Sequence, residues 1–145
     1  MRHDIDPQLV EDLLAEQHLA TLATHRSDGG VLLSPIWYVW RDDRFRLGMD
    51  EGDIKLRHIA RDPNVTIVVA EETPPYRGIE VRGVAHADET DFPERMRAIA
   101  QRYLGPPGAD FYPDDATGSI VTIEPVATRT WDFADVYEDF PEKVQ

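Results

Sequence analysis

The sequence predicts a mainly β protein, an antiparallel barrel of six or seven strands with two or three short helices. From residue 20 onwards, short runs rich in β-branched and aromatic residues recur, and turn-forming residues such as the Ser-Asp-Gly-Gly of residues 27–30 separate them. Only a few segments have the apolar spacing of a helix. At 145 residues, with no repeat or composition shift, the chain is expected to form a single domain, residues 1–145.

The composition limits the possible functions. The 15 Lys and Arg residues face 28 Asp and Glu, a net charge of −13, so a general affinity for nucleic acid or anionic membranes is not expected. The sequence has no cysteine, which excludes disulfides and thiolate chemistry, and its five histidines lack the spacing of a metal site. An acidic beginning and the lack of any run of ~20 apolar residues predict an unexported, cytoplasmic protein.

The first half of the chain reads as one helix followed by a meander of strands. Asp6-Pro7 is a typical helix start, and four apolar residues follow it at helical spacing. A β-type run begins at Ala20, and a second covers Val31 to Trp40. After an Arg-Asp-Asp turn, residues 44–49 form the third run, which completes the predicted meander.

The second half alternates strands with helices. A helix is expected from Phe92 to Leu104, entered through Asp91-Phe92-Pro93, and a Pro- and Gly-rich loop of the kind used as a lid or interface arm follows at residues 105–118. The tail from Asp132 to Glu142 is acidic and is expected to be solvated or to form an arm on another subunit. Strands are predicted at Val65–Ala70, Ile79–Ala87, Ser119–Ile123 and Ala127–Phe133.

The run from Val31 to Trp40 is largely apolar on both faces. One face carries Val31, Leu33, Trp37 and Val39, and the other carries Leu32, Ile36, Tyr38 and Trp40. A barrel interior can cover only one of them. The other face needs a partner subunit, a flat ligand or a helix packed on the outside.

Residues 50–62, DEGDIKLRHIARD, concentrate cations at a helix start. Asp53 can cap a helix that runs to about Arg61 and stops before Asp62-Pro63. Lys55 and Arg57 then lie in its first turns, where the helix dipole disfavours cations by about 0.3–1 kcal/mol each. Either a bound phosphate or carboxylate makes the cations favourable at this position, or the cations pair with the acidic residues around them.

Two residues apart on a regular helix, Lys55 and Arg57 diverge by about 200°. They can share one ligand only if Lys55 precedes the helix or the ligand spans the helix terminus.

An ordered set of motifs resembles one family. The segment LATLATHRSDGGVLLSPIWYVWRDDRFRLGMDEGDIKLRHIARDPNVTIVV, followed by PPYRGIEVRGVA, is similar to the flavin and deazaflavin oxidoreductases of the split β-barrel superfamily. That superfamily includes the pyridoxamine 5′-phosphate oxidases, and the chain is most similar to its F420-binding branch. The likeness covers roughly residues 13–90, and its motifs are LATLAT, Ser34-Pro35 followed by an aromatic residue, K-x-R-x-I at Lys55–Ile59, Arg61-Asp62-Pro63 and Tyr76-Arg77-Gly78.

The resemblance implies a split barrel that forms a homodimer with cofactor at the subunit interface. The strand containing Ser34, Pro35, Ile36 and Trp37 would run along the cofactor ring. Lys55 and Arg57 would hold the cofactor phosphate. F420 carries an oligoglutamate tail beyond its phosphate, and Arg61, Arg77 and Arg82 are candidates to bind that tail.

Two departures from the family pattern qualify these expectations. Many relatives carry Thr or Ser before the lysine, where this chain has Ile54, and the C-terminal arginine and histidine signature of true pyridoxamine phosphate oxidases is not evident. We therefore do not expect vitamin B6 synthesis. The Pro-Pro-Tyr-Arg-Gly loop and the family likeness favour F420 over FMN.

The resulting hypothesis is an F420-dependent oxidoreductase that transfers hydride between the deazaflavin and a small unsaturated or aromatic acceptor. The alternatives are an FMN-binding pyridoxamine phosphate oxidase-like protein and a non-catalytic protein that binds F420, FMN or haem. No catalytic acid or base stands out in the sequence, so catalytic residues stay unknown. Trp37 and Tyr38 could line the acceptor pocket or belong to the core.

Overall fold

Eight β-strands and four α-helices make up the part of the chain that the computed structural model describes, residues 2–3 and 7–137. The strands are β1 (Arg2–His3), β2 (Ala20–His25), β3 (Val31–Ile36), β4 (Val39–Arg41), β5 (Arg44–Asp50), β6 (Asn64–Ala70), β7 (Gly78–Asp88) and β8 (Gly118–Asp132). The helices are α1 (Glu11–Ala15), α2 (Ile54–Arg61), α3 (Phe92–Leu104) and α4 (Ala134–Tyr137), with 3-10 helices at Pro7–Val10 and Pro106–Asp110. The predicted cap Asp6 and residues 138–142 of the acidic tail lie outside the described residues.

Seven of the strands form one antiparallel sheet in the order β3-β2-β6-β7-β8-β5-β4, and β1 pairs with β8 beside it. The predicted mainly β, antiparallel fold is confirmed. Although β3 and β4 lie at opposite ends of the sheet, only Trp37 and Tyr38 separate them along the chain. The three peptide steps from Ile36 to Val39 span at most about 11 Å. The sheet therefore curls until its two edges approach each other, and the resulting shape is a half-barrel.

The prediction of a single strand over Val31–Trp40 is wrong. The chain leaves β3 at Trp37 and Tyr38 and passes from one edge of the sheet to the other, where β4 begins. Tyr38 is fully buried at this break, and its hydroxyl donates to the carbonyl oxygen of Leu14 at 3.0 Å. Its amide donates to the hydroxyl oxygen of Tyr103 at 3.0 Å. Tyr38 is therefore a core residue that fixes the crossing and does not line a pocket.

The two final strands predicted separately are one continuous strand, β8. Its pairing with β7 shifts between Arg82 and Gly83, which pair with Ala127 and Pro125, so that Val126 is left over as a bulge. A bulge tolerates a proline, whose missing N–H would interrupt a regular ladder. Glu124-Pro125-Val126 therefore marks an irregularity within one strand, where the sequence had indicated the boundary between two strands.

The two longer helices begin and end where the sequence predicts. Asp53 caps α2, because its carboxylate accepts from the amide of Lys55 at 2.9 Å, and α2 ends at Arg61 before Asp62-Pro63. The bounds of α3 are Phe92–Leu104 as predicted, but Asp91 has a left-handed backbone (φ 53°) and its side chain makes no capping hydrogen bond. Entry into α3 thus depends on Pro93 in the first turn rather than on a side-chain cap.

Two apolar cores hold the fold together. The larger core fills the interior of the curled sheet, with Leu22, Phe45, Leu47, Ile67 and Val81 at its centre. The smaller core lies between α3 and the outer face of the sheet, and it contains Phe92, Met96, Ile99 and Ile120. Since α3 covers the outer face near β5 and β8, the outer faces of β2 and β3 are left as the open part of the sheet.

Within the described ranges, no helix is both long and apolar enough to cross a lipid bilayer.

Candidate functional site

The outer face of β3 is apolar and uncovered. Val31 and Leu33 keep 47% and 65% of their surface exposed, and Pro35 is also exposed. Their partners on β2 are His25, Ala23 and Thr21, and Thr21 in turn pairs with Val68 of β6. We call the six residues Thr21, Ala23, Val31, Leu33, Pro35 and Val68 the outer strip. The strip is an open, largely apolar surface, the kind that marks a site of interaction.

The predicted ring-binding residues Ser34, Pro35 and Ile36 lie on β3 but do not all face the same way. Pro35 faces outward on the outer strip, whereas Ser34 and Ile36 are half-buried on the inner face, where Ser34 pairs with Leu22. In the part of the chain that the structure describes, β3 pairs with β2 alone. Alternate backbone N–H and C=O groups along its other edge are therefore available to a ligand, while the side chains of Ser34 and Ile36 are directed elsewhere.

Trp37 follows the end of β3 and belongs to a group of aromatic rings. It stacks on Tyr103, with centroids 5.1 Å apart and planes at 5°, and its ring also meets that of Phe111 at 5.8 Å. Trp37 is half-buried and Phe111 is 54% exposed. These rings form a partly open aromatic wall beside the end of β3.

A basic groove of about 370 Å³ lies between the turn after β2 and helix α2. Arg57 and Arg61, one turn apart on α2, line it together with Arg26 and Asp28 of the turn. Helix α2 is fixed against β2 there, because the ring Nδ1 of buried His58 lies 2.9 Å from the hydroxyl of Thr24. We refer to the lining residues Arg26, Ser27, Asp28, Ile54, Arg57, His58 and Arg61 as the basic groove.

The basic groove adjoins the outer strip. One guanidinium nitrogen of Arg61 donates to the carbonyl oxygen of His25 at 2.6 Å, and His25 pairs across the sheet with Val31 of the strip. Arg57 is exposed, and no carboxylate among residues 7–137 forms an ion pair with it. A largely apolar surface thus leads into a groove in which Arg57 has no ion-pair partner among the described residues.

Lys55 does not line this groove. Its ammonium lies 2.9 Å from the Asp53 carboxylate, and its side chain is 17% exposed. This is the local ion pairing that the sequence left open for the cations of α2, and it agrees with the expected divergence of Lys55 and Arg57 around the helix. The structure brings Arg57 and Arg61 together and separates Lys55 from them; a role for each in phosphate binding stays a prediction.

Arg77 is held by carboxylates of its own chain. Its guanidinium contacts Glu71 at 2.8 Å and Asp12 at 3.0 Å, and these bonds raise its pKa above the usual range. Burial alone would raise the pKa of Glu71, but the hydrogen bonds and charge of Arg77 outweigh burial and lower that pKa. The geometry gives Arg77 a structural role between α1 and the loop after β6, and its predicted contact with cofactor is untested.

Sequence reasoning missed Arg26 and Asp28 as groove residues. Both lie in the turn after β2, far in sequence from Arg57 and Arg61, and they reach the groove only because the β2–β3 hairpin folds beside α2. The usable signal was a basic residue directly after the LATLATH run.

The likeness to known proteins covers nearly the whole chain. Residues 6–132 match the protein family described as pyridoxamine 5′-phosphate oxidase. An F420 reductase superposes with a TM-score of 0.71 at 29% identity, over 81% of this chain and 94% of that one. Among curated proteins, none matches the sequence significantly.

Two more distant structures share the fold. The conserved hypothetical protein Rv2991 from Mycobacterium tuberculosis superposes with a TM-score of 0.74 at 24% identity, over 92% of this chain and 88% of that one. The haem storage protein HutZ from Vibrio cholerae superposes with a TM-score of 0.68 at 16% identity, over 91% and 96%. The same architecture thus occurs in proteins that bind chemically different cofactors.

Proposed function

The chain belongs to the pyridoxamine 5′-phosphate oxidase family, and from this premise we propose that it is an F420-dependent oxidoreductase of small unsaturated or aromatic compounds. The observation that carries the proposal is the adjacency of the outer strip and the basic groove. Similarity to an F420 reductase at 29% identity over 81% of the chain supports the choice of cofactor.

The residues present fit a flat, anionic cofactor. The outer strip offers Leu33 and Pro35 as an apolar support for a ring, and the free edge of β3 offers backbone donors and acceptors to the ring's heteroatoms. Arg57 and Arg61 would hold the phosphate, which leaves Arg26 in the turn after β2 for further anionic groups of the cofactor. The chain has a net charge of −13, so it can attract an anion only through cations grouped at one place. Arg57, which forms no ion pair within the described residues, therefore favours binding of an anionic ligand in this groove.

F420 is preferred to FMN because of the number of cations. FMN ends at its phosphate, whereas F420 continues into a chain of carboxylates that needs further positive groups. Arg26, Arg57 and Arg61 supply three cations around a single groove, against one carboxylate from Asp28. When bound, F420 supplies hydride transfer to or from an acceptor, and the protein orients both and excludes water.

We place the acceptor beside the aromatic wall at the end of β3. Trp37 and Phe111 expose ring surface there, and planar unsaturated compounds stack on such surface. A second copy of the chain that packs on the outer strip would complete the site, since one chain leaves the outer side of the strip open to solvent.

The first experiment is a fluorescence titration of the purified protein with F420 and with FMN at two salt concentrations. We expect tight binding of F420 that weakens as salt rises, and weaker binding of FMN. Arg57→Gln should reduce F420 affinity at least about tenfold, because it removes a charge-assisted contact to phosphate.

Two further variants make this titration specific. Lys55→Gln should have the smaller effect, since the Lys55 ammonium is already engaged by Asp53. Arg44→Gln removes the same charge from an exposed hairpin and should leave F420 affinity unchanged. Preference for FMN would move the protein to the flavin branch, and equal losses in Arg57→Gln and Arg44→Gln would remove the basic groove from the proposal.

Catalysis is tested separately from binding. Reduced F420 should be oxidised faster when a panel of nitroaromatic or enone acceptors is added. The alternative, a non-catalytic binding protein, gains support from the haem storage protein with the same fold, and it predicts tight cofactor binding with an oxidation rate that no acceptor changes.

A further inference from the structure

A second groove lies beside the smaller core, between the β4–β5 hairpin and α3. Its volume is about 300 Å³, at the small end of the range for ligand sites. Its floor is apolar and consists of Val39, Ala98, Ile99 and Ile120. The groove shares no residue with the basic groove or the outer strip.

Three arginines from separate parts of the fold converge on this groove: Arg41 from β4, Arg46 from β5 and Arg95 from α3. Arg46 is the most enclosed, with a side chain that is 19% exposed. One of its guanidinium nitrogens donates to the carbonyl oxygen of Arg41 at 2.6 Å. The groove therefore gathers guanidinium groups above an apolar floor, although the chain as a whole is strongly acidic.

The carboxylates around the groove leave Arg46 incompletely compensated. Its ion pair is with Asp42, a long contact of 3.9 Å to a side chain that is 75% exposed. Burial and the charges of Arg41, Arg95 and Arg44 lower the pKa of Arg46, whereas the charge of Asp42 raises it. The surroundings thus disfavour the cationic form of Arg46, and an anion placed in the groove would relieve that penalty.

Asp91 and Glu94 also line the groove, so its charge is mixed. Neither of them is the ion-pair partner of Arg95, which contacts Asp88 at 3.0 Å instead. Three guanidinium groups and two carboxylates line the groove, and two more carboxylates, Asp42 and Asp88, pair with two of its arginines. An anion would therefore be attracted by the converging guanidinium donors rather than by a net positive charge. The planar donor fork of arginine also matches a carboxylate better than a single amine would.

We propose that this groove binds an organic anion with an apolar body, namely an aromatic or short branched carboxylate. The carboxylate would be bound by Arg46 with Arg41 and Arg95, and the apolar body would lie on Val39, Ile99 and Ile120. This binding site goes beyond the proposed redox function and does not depend on it.

The test uses three probes that share the naphthalene ring and carry small substituents of different charge: 2-naphthoate, neutral 2-naphthalenemethanol and cationic 2-naphthylmethylammonium. Binding to the full chain is measured by calorimetry and by methyl NMR shifts of Val39, Ile99 and Ile120. We expect 2-naphthoate to bind and to shift these methyls, and the neutral and cationic probes to bind at least about tenfold more weakly. Tighter binding of the cation would show that Asp91 and Glu94 dominate, and it would overturn the proposal.

Variants assign the binding to the arginines. Arg46→Gln and Arg95→Gln should each weaken 2-naphthoate at least about tenfold. Arg129→Gln removes the same charge from β8, outside the groove, and should change affinity less than twofold. Arg46→Lys keeps the charge but loses the planar fork, so an intermediate affinity is expected. If Arg46→Gln does not fold, Arg95→Gln and Arg46→Lys still decide, and native affinity in both would contradict the proposal.

Discussion

At the scale of single residues, Glu71 combines partial burial with two kinds of bond to Arg77. Its carboxylate accepts from the backbone amide of Arg77 at 2.8 Å and from the guanidinium at 2.8 and 3.0 Å. Its side chain is 13% exposed. Because these bonds form only in the folded chain, the pKa of Glu71 is lower in the folded state than in the unfolded state, where it is close to 4.5.

This difference makes stability depend on pH with a definite sign. A carboxyl whose folded pKa is depressed stabilises the fold fully above its unfolded pKa, and the contribution is lost as pH falls through the folded pKa. We expect the urea midpoint of the native protein to fall between about pH 5 and pH 3, and Glu71→Gln to be less stable at pH 7 with a smaller fall on acidification.

The control is Glu72→Gln, which removes the same charge from the exposed neighbour. It should keep the midpoint at pH 7 close to that of the native protein. A fall on acidification in Glu71→Gln as large as in the native protein would show that the bond to Arg77 does not contribute to the acid sensitivity.

The residue scale is also where sequence reasoning reaches least far. The cap at Asp53 was predictable because its hydrogen bond joins residues two apart. The separation of Lys55 from Arg57 followed from helix geometry alone. The presence of Arg26 opposite Arg57 could not be predicted, because it depends on how a hairpin and a helix 30 residues apart pack in space.

At the scale of elements, the predicted loop at residues 105–118 is more ordered than its composition indicates. Its first part is the 3-10 helix Pro106–Asp110, which packs on α3, and Arg97 of α3 donates to the carbonyl oxygen of Tyr112 at 2.8 Å. Gly108 is buried at the contact, where a Cβ would lie 2.4 Å from the backbone nitrogen of Gln101. Residues 105–118, which we call the strap, are thus packed against α3 and do not form a free lid.

Gly108→Ala should therefore destabilise the protein. Backbone atoms of α3 cannot move aside as a flexible side chain can, so the 3-10 helix must shift, at a cost of about 1–3 kcal/mol in the free energy of unfolding measured with urea. Ala109→Val adds more volume at the exposed neighbouring position and should stay within about 0.5 kcal/mol of the native value. Equal stability of Gly108→Ala and the native chain would show that the strap is not tightly packed.

Elements with local signals were predictable, and elements set by topology were not. Both ends of α2 follow from Asp53 and Pro63, which act within a few residues. The break between β3 and β4 has no local signal, because VLLSPIWYVW is largely apolar on both sides of the break and the chain breaks there only to join the two edges of a curled sheet. Likewise, the continuity of β8 through Pro125 depends on a bulge that β7 permits.

At the scale of the whole molecule, the two apolar faces of Val31–Trp40 differ in burial. The inner face of β3 is partly buried against the main core, and the 65% exposure of Leu33 shows that the outer face is left without cover from residues 7–137. The sequence predicted the need for a cover. It could not identify that cover, since a partner subunit or a ligand contributes nothing to the hydrophobic pattern of the chain itself.

If a second copy provides this cover, a charge on the outer strip should abolish association. We expect the native protein to sediment at about twice the chain mass of 16.5 kDa at micromolar concentration, and Leu33→Asp to sediment as a monomer, because burying an unpaired carboxylate in an apolar interface is strongly unfavourable. F420 affinity should fall with it, since the proposed site needs both copies.

Val126→Asp is the matched control for the dimer. Val126 is 74% exposed, more than Leu33, but it lies on the bulge of β8 and outside the outer strip. Its replacement should leave both the sedimenting mass and F420 affinity unchanged. If Leu33→Asp stayed dimeric while Val126→Asp became a monomer, the interface would lie on β8, and the uncovered face of β3 would then be covered by cofactor alone.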